Sequence, residues 1–117
     1  MDEARWPSDW LRGVLELCVL GALRAGPSYG YAIAQRLELA GLGTVKGGTL
    51  YPLLGRLEAE QLVEATWQVG DSGPGRKYFA LTEAGRDALR HRTARWHEFV
   101  EITAAVVDTV EPARGRA

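Results

Sequence analysis

The last third of the chain carries a helical pattern that is too long for a protein of 117 residues to enclose. It begins at Thr82, a residue type that caps helices, followed by Glu83, whose charge suits a first turn. The pattern continues to about residue 110, which corresponds to a helix of roughly 42 Å at 1.5 Å per residue. We therefore expect this helix to leave the body of the domain.

Apolar side chains recur along this long helix at intervals of three, four and seven residues. Such a stripe is typical of a helix that packs against another helix. The partner is either the chain's own first helix or the equivalent helix of a second copy. Both contacts can coexist in a homodimer, which the length of the stripe favours. The predicted dimer interface consists of Leu89, Trp96, Phe99, Val100, Thr103, Val106, Val107 and Val110.

Two shorter helices are predicted near the start of the chain. Ser8 is a suitable N-cap for a first helix over residues 8–24, whose apolar residues lie on nearly all sides. Ser28 is a suitable N-cap for a second helix, in which apolar residues recur at helical steps until residues 41–43, Gly-Leu-Gly, end it. The first helix is therefore expected to be buried on more than one face.

A third helical segment has four leucines at helical spacing between residues 50 and 57. Pro52 complicates its start, because proline lacks a backbone donor and disfavours α geometry at Tyr51. The pattern alone places the start at Tyr51. A proline tolerated near the first turn would instead allow a start at Gly47 or Gly48, and the sequence does not decide between these.

The residue composition then changes. Two stretches rich in β-forming residues, 62–69 and 76–81, lie on either side of a glycine-rich turn that contains Asp71 and Ser72. Three helices, a hairpin and a trailing helix, in this order, are typical of a winged helix-turn-helix. In this α+β fold the third helix enters the DNA major groove and the hairpin reaches the backbone. We predict a DNA-binding domain over residues 8–81, a dimerisation helix over 82–110 and a flexible tail over 111–117.

The formal net charge of −1 conceals a local excess of positive charge. Residues 39–57 and 72–82 contain four basic residues and no acidic residue, whereas the remainder has ten basic and 15 acidic residues. Such segments can present a positive face to a polyanion, although chance clustering would give the same count. Tyr51 either contacts the DNA backbone or packs in the core. The predicted DNA-binding residues are Lys46, Gly48, Thr49, Tyr51, Arg56, Arg76 and Lys77.

Four motifs carry a family resemblance: Tyr-Gly-Tyr at 29–31, Gly-Thr-Leu-Tyr-Pro-Leu-Leu at 48–54, Arg-Leu-Glu at 56–58, and Arg-Lys-Tyr-Phe-Ala-Leu-Thr-Glu-Ala-Gly at 76–85. Together they resemble the PadR family of bacterial transcription regulators, over residues 11–110. The short length and single C-terminal helix are similar to its smaller subfamily. The resemblance implies a homodimeric repressor with a winged-helix domain, dimerised by its C-terminal helix, and a third helix that includes Pro52.

Lys46 departs from the resembled family, in which many members carry a Ser or Asn cap at this position. A lysine side chain cannot accept the hydrogen bond that caps a helix. The same change places a cation where a DNA phosphate would lie. We therefore expect a less firmly capped third helix and an altered DNA contact.

Trp96 lies on the predicted dimer stripe, while Trp10, Val14 and Leu17 share one face of the first helix. If these faces meet across a twofold axis, two copies of Trp96 flank a cavity able to hold a flat aromatic molecule. Multidrug-sensing members of the resembled family carry a Trp at the same offset and bind planar drugs between the pair. Alternatively, Trp96 fills the dimer core. The implied effector-binding residues are Trp10, Val14, Leu17, Leu89, Trp96 and Val100.

The sequence has few patterns that are typical of catalytic, metal-binding or cofactor-binding sites. Cys18 stands alone in an apolar run, which indicates a buried thiol, and His91 and His97 do not share a helical face at ligand spacing. We find no catalytic constellation or phosphate-binding glycine loop, so we expect no enzyme activity, metal or cofactor. No apolar run is long enough to span a bilayer, and residues 1–7 do not resemble a signal peptide, which together predict a cytoplasmic protein.

Two functions from different classes stay open at this point. The first is a DNA-binding transcriptional repressor that a small, planar aromatic effector releases. The second is a ligand-binding or protein-interaction module on a winged-helix scaffold that does not bind DNA. The local positive charge favours the first and the low overall charge favours the second. Salt-dependent binding to operator DNA discriminates between them.

Overall fold

The computed structural model describes residues 5–69, 73 and 75–108. Helices alternate with a small antiparallel sheet, which confirms the predicted α+β class. The structure gives no account of the tail over residues 111–117 or of the turn residues Asp71 and Ser72, which lie outside the described residues. The elements are α1 Ser8–Ala22, β1 Ser28–Tyr29, α2 Gly30–Leu37, α3 Gly47–Ala59, β2 Val63–Gln68, β3 Arg76–Leu81 and α4 Glu83–Asp108.

The predicted cap of α1 is wrong by one residue. Ser8 is already helical and Pro7 is the N-cap, with no side-chain hydrogen bond to the helix. The Pro7 carbonyl oxygen accepts the backbone N–H bonds of Trp10 and Leu11 at 3.0 and 3.3 Å, which starts the helix without a polar cap. The helix ends at Ala22 instead of residue 24.

The prediction that Ser28 caps the second helix is also wrong, because Ser28 and Tyr29 form strand β1. They pair with Phe79 and Tyr78 of β3, and Tyr29 takes the N-cap position of α2. Two residues are too few to show the alternating pattern of a strand, so periodicity could not predict β1. After α2 the chain makes a wider helical turn over Glu38–Leu42, in which Gly41 adopts a φ of 109°.

Helix α3 begins at Gly47, so the start at Tyr51 that the pattern favoured is wrong, and the helix includes Pro52 as the family resemblance implies. Proline at the sixth helical position removes one backbone hydrogen bond. Burial compensates for it, because the four leucines of α3 all lie in the core at 0–5% exposure. Tertiary packing thus overrides the local preference of proline against a helix interior. These leucines are Leu50, Leu53, Leu54 and Leu57.

The sheet has the order β1-β3-β2, and all its pairs are antiparallel. The hairpin of β2 and β3 confirms the two predicted strands, with a register that runs from Val63 opposite Leu81 to Gln68 opposite Arg76. Its inner end is buried through Val63 and Leu81. The outer end projects beyond the core.

A threonine and a glycine join α4 to the rest of the fold. The Thr82 hydroxyl donates to the Gln61 carbonyl oxygen at 2.8 Å and accepts from the Gly85 N–H at 2.9 Å, which confirms Thr82 as the helix cap. Gly85 is buried, and a Cβ there would overlap the carbonyl oxygen of Leu62. The close approach of helix and loop therefore requires glycine at this position.

We predict that Gly85→Ala lowers the free energy of unfolding by about 2 kcal/mol, since the methyl group meets backbone that cannot rotate away. This destabilisation is opposite in sign to the intrinsic helix preference for alanine over glycine, which is about 1 kcal/mol. Urea unfolding followed by circular dichroism, at one fixed protein concentration, measures it.

Gly55→Ala is the matched control, because a Cβ at this helical glycine of α3 has no neighbour within 4 Å. We expect it to raise the free energy of unfolding by about 0.5–1 kcal/mol. Equal effects of the two substitutions would contradict the proposed role of the Gly85 contact.

Candidate nucleic-acid interface

Helix α3 presents an outer face with little side-chain bulk. Gly48, Pro52, Gly55 and Ala59 recur on the side opposite the buried leucines, and all four are exposed. A Cβ at Gly48 or Gly55 would have no neighbour within 4 Å. A helix of this shape can approach another surface closely along its backbone.

Polar residues flank this small-residue face on both sides. Thr49 and Arg56 are exposed on one side, and Tyr51 with the half-buried Glu58 lies on the other. Tyr51 is 54% exposed and its hydroxyl lies against Gly30 at the start of α2. Of the two alternatives for Tyr51, the structure excludes a core position and leaves the ring accessible.

Lys46 and Arg56 differ in how they are held. Lys46 is the N-cap of α3 and, as expected of a lysine, makes no side-chain cap bond. Its side chain has no hydrogen-bond or ion-pair partner among the described residues. Arg56 lies 3.8 Å from Glu16 of α1, and the same carboxylate accepts a 3.1 Å hydrogen bond from Arg92 of α4.

The basic residues of the hairpin are both engaged within the protein. The Arg76 guanidinium lies over the Tyr29 ring, 4.4 Å from its centroid. Lys77 Nζ is 3.4 Å from the Glu58 carboxylate on α3. This ion pair joins the hairpin to the flank of α3, so that helix and hairpin form one continuous surface. Exposed pairs of this kind are weak, and a competing anion can replace the carboxylate.

Two apolar residues, one in β2 and one directly after it, also belong to this surface, and the sequence analysis did not single them out. Trp67 is 68% exposed and pairs with Lys77 across the hairpin, and Val69 is 85% exposed. The alternation of side chains in β2 could have predicted this position for Trp67. Trp67 lies on the same face of the strand as the buried Val63, but beyond the point where the core ends.

The predicted stripe on α4 is exposed beyond the first turns of the helix. Among its described members, Trp96 and Val100 are each 38% exposed and Phe99 is 66% exposed. The prediction for Leu89 must be corrected, because at 6% exposure it lies in the core of the single chain and not on the exposed stripe. Val110 lies outside the described residues. The α4 stripe, as used below, means Trp96, Phe99, Val100, Thr103, Val106 and Val107.

The tryptophans proposed for an effector site lie apart within one chain. Trp10 stacks on Trp6 at a centroid distance of 6.5 Å, and Trp96 contacts His97 edge-on at 5.2 Å. No ring contact joins Trp10 to Trp96 in the described part of the chain. The two indoles therefore do not form a stacked pair within one chain.

The cysteine and the metal-ligating side chains of the described residues do not indicate a further site. Burial raises the pKa of the half-buried Cys18 thiol, so it stays protonated at neutral pH and is a poor nucleophile. Within residues 5–69, 73 and 75–108, no cluster of three His, Cys, Asp or Glu side chains could hold a metal ion. No helix in the same ranges is both long and apolar enough to cross a membrane.

Comparison with known proteins identifies relatives of this fold. The PadR-like family of transcriptional regulators matches residues 19–91. A PadR family regulator from Eggerthella lenta is 36% identical, with a TM-score of 0.79, and the alignment covers 87% of this chain and 88% of that one. A transcriptional regulator of Mycobacterium tuberculosis is 36% identical over 81 residues, 69% of this chain and 74% of its own length.

PadR of Bacillus subtilis, solved in complex with operator DNA, is a more distant relative. It is 27% identical with a TM-score of 0.63, and the alignment covers 68% of this chain and 46% of that one. The family match spans more than half of the chain, and the fold, the α3 surface and the long α4 agree with it. The chain therefore belongs to the PadR-like family of transcriptional regulators.

Proposed function

We propose that the protein binds operator DNA as a homodimer and represses transcription. The observation that carries this proposal is the continuous surface of α3 and the hairpin, in which a helix face of small residues is flanked by Thr49 and Arg56 and bordered by Lys77. The operator complex of the Bacillus subtilis relative supports it. The proposal implies a cytoplasmic protein and assigns it no catalytic role.

In this arrangement α3 enters the major groove with its small-residue face against the DNA. Thr49 reaches a base edge, and Gly48 lets the helix start come close to the backbone. The cations contact phosphates, and Tyr51 packs on the DNA backbone with its accessible ring. The phosphate-contacting cations are Lys46, Arg56, Arg76 and Lys77.

The α4 stripe supports the homodimer. Phe99, Val106 and Val107 are each more than 60% exposed, which is unfavourable for a helix that stays in water. A second copy of α4, or the exposed α1 face that carries Trp10, would cover them. A twofold dimer would present two α3 helices to a palindromic operator.

We further propose that a planar aromatic effector binds between the two copies of Trp96. The supporting observation is that Trp96 and Trp10 are partly exposed on the faces that a dimer would bring together, with Val14, Leu17 and Val100 beside them. Leu89 lies in the core and supports these residues from below. Binding that favours one separation of the hairpins would lower DNA affinity.

The DNA interface predicts opposite effects for the two members of the Lys77–Glu58 ion pair. Lys77→Gln should weaken binding to operator and random DNA alike, and should reduce the slope of log Kd against log salt by about one. Glu58→Gln should tighten binding about two- to fivefold, because Lys77 no longer has to leave a carboxylate.

Fluorescence anisotropy with DNA from upstream of the gene and with scrambled DNA, at about 50 and 200 mM salt, measures these changes. Arg86→Gln is the control, since it removes an exposed cation of α4 that belongs to neither α3 nor the hairpin. A Lys77→Gln slope equal to that of Arg86→Gln would remove Lys77 from the interface. Absence of salt-dependent binding to any promoter fragment would instead support the interaction module that does not bind DNA.

The dimer predicts that Phe99→Asp raises the dimer dissociation constant by about two orders of magnitude, because two carboxylates enter an apolar seam. Sedimentation at micromolar concentration should show the parent at twice the chain mass and the variant as a monomer. Ala105→Asp adds the same charge on the opposite side of α4 and should stay dimeric. A dimeric Phe99→Asp protein would place the interface elsewhere.

The effector site predicts that Trp96→Ala abolishes saturable binding of a planar dye such as ethidium, measured by calorimetry without DNA. Trp67→Ala, which removes an exposed indole from the hairpin, is the control and should bind as the parent does. Unchanged dye binding by Trp96→Ala would refute the tryptophan sandwich.

A further inference from the structure

A cleft of about 490 Å³ opens between the first half of α1 and the start of α3. Its volume lies within the range of small-molecule sites. It does not coincide with the Trp96 site, because the α1 residues that line it, such as Leu11 and Arg12, lie on the side of the helix away from Trp10 and Val14. We call it the α1–α3 cleft.

The floor of the α1–α3 cleft is aliphatic. Leu15 and Leu53, which are 7% and 5% exposed, belong to the core and close its base, while the half-buried Leu11 and Val45 form its walls. No aromatic side chain lines it. A DNA phosphate could use charges at the rim but would gain nothing from this floor, so the floor points to a ligand with an apolar body.

The rim carries three cations, of which two are already neutralised. Arg12 hydrogen-bonds Asp9 at 2.6 Å, and Arg56 lies 3.8 Å from Glu16. Lys46 has neither an ion pair nor a hydrogen bond in the part of the chain that the structure describes. Lys46 is thus the rim cation with no carboxylate beside it, and a positive charge above an aliphatic floor matches an anionic group on an aliphatic body.

We propose that the α1–α3 cleft binds a medium-chain aliphatic carboxylate, with the carboxylate on Lys46 and the alkyl chain on Leu11, Leu15 and Leu53. The hydroxyl of Thr49, which also lines the cleft, is a second donor for the bound carboxylate.

Binding of this anion has a consequence for DNA. Lys46, Thr49 and Arg56 border the cleft and are also the α3 residues that the proposed function assigns to DNA. A bound carboxylate would occupy Lys46 and place a negative charge beside the phosphates, which weakens DNA binding. This consequence rests on the proposed function, whereas the binding of the anion does not.

Sodium octanoate is the probe for the cleft, with octan-1-ol and octylammonium as neutral and cationic counterparts of the same chain length. Each is titrated into the ¹⁵N-labelled full chain, and amide shifts are followed by two-dimensional NMR. We expect octanoate to produce saturable shifts in residues 44–49 and at Leu11, with a Kd at least about tenfold below that of octanol. Equal affinity for the alcohol or the amine, or shifts confined to α4, would overturn the proposal.

Variants locate the charge that holds the ligand. Lys46→Gln, at an exposed position that tolerates the change, should weaken octanoate binding about tenfold and leave octanol binding unchanged. Arg86→Gln and Trp96→Ala are the controls and should bind octanoate as the parent does. Loss of binding in Trp96→Ala, or no effect of Lys46→Gln, would assign the ligand to another site.

The final experiment adds operator DNA and measures DNA binding by fluorescence anisotropy. Octanoate should raise the DNA Kd of the parent severalfold and that of Lys46→Gln much less, relative to each protein without octanoate. If the parent binds octanoate in the cleft but no DNA, the proposed function fails and the ligand site stands. If it binds DNA and the cleft signals do not move with octanoate, the ligand site fails and the DNA function stands.

Discussion

The close contact between Gly85 and the Leu62 carbonyl sets the geometry on which the other surfaces depend. Leu62 follows directly after the turn that ends α3, where Gln61 adopts a φ of 63°. Thr82 ties the same turn to the first turn of α4 through two hydrogen bonds. The end of α3, the start of β2 and the start of α4 therefore meet at one point. Any reorientation of α4 against α3 has to move this junction, so the two helices, to which we assign dimerisation and DNA binding, behave as parts of one rigid unit.

The electrostatics of the protomer explain how a chain of net charge −1 can bind a polyanion. Arg56 and Lys77 each lie beside a carboxylate in the free protein. Both pairs are exposed, so they add little stability, and DNA phosphates can take the place of the acids. Glu16 has a second partner in Arg92 of α4 and stays paired when Arg56 leaves. In the proposed complex, the exchange of these acids for phosphates would therefore leave no buried charge behind.

The sequence predicted those elements whose signals are local and periodic. Thr82 as a cap, the two strands of the hairpin and the four-leucine face of α3 all depend on neighbours a few residues away. The failures arose where distant residues decide the structure. Ser28 is a strand residue because β3 lies beside it, and α3 starts before Pro52 because its leucines are buried by other elements. Leu89 has the heptad spacing of the stripe but lies where α4 still covers the core, a boundary that periodicity does not reveal.

The candidate sites were predictable to different degrees for a related reason. A helix presents its faces in a known order, so exposed residues of α3 could be named from spacing alone. The α1–α3 cleft could not, because Leu11 and Lys46 come together only through the tertiary arrangement of α1 and the segment that leads into α3. Helix α1 has a different neighbour on each side: the cleft and α3 on one, and on the other the Trp10 face, which the proposed dimer would cover. A ligand that alters the packing of α1 on either side would therefore act on an element that the proposed DNA surface and the proposed dimer surface share. The two proposed ligands, although chemically different, would then both change DNA affinity.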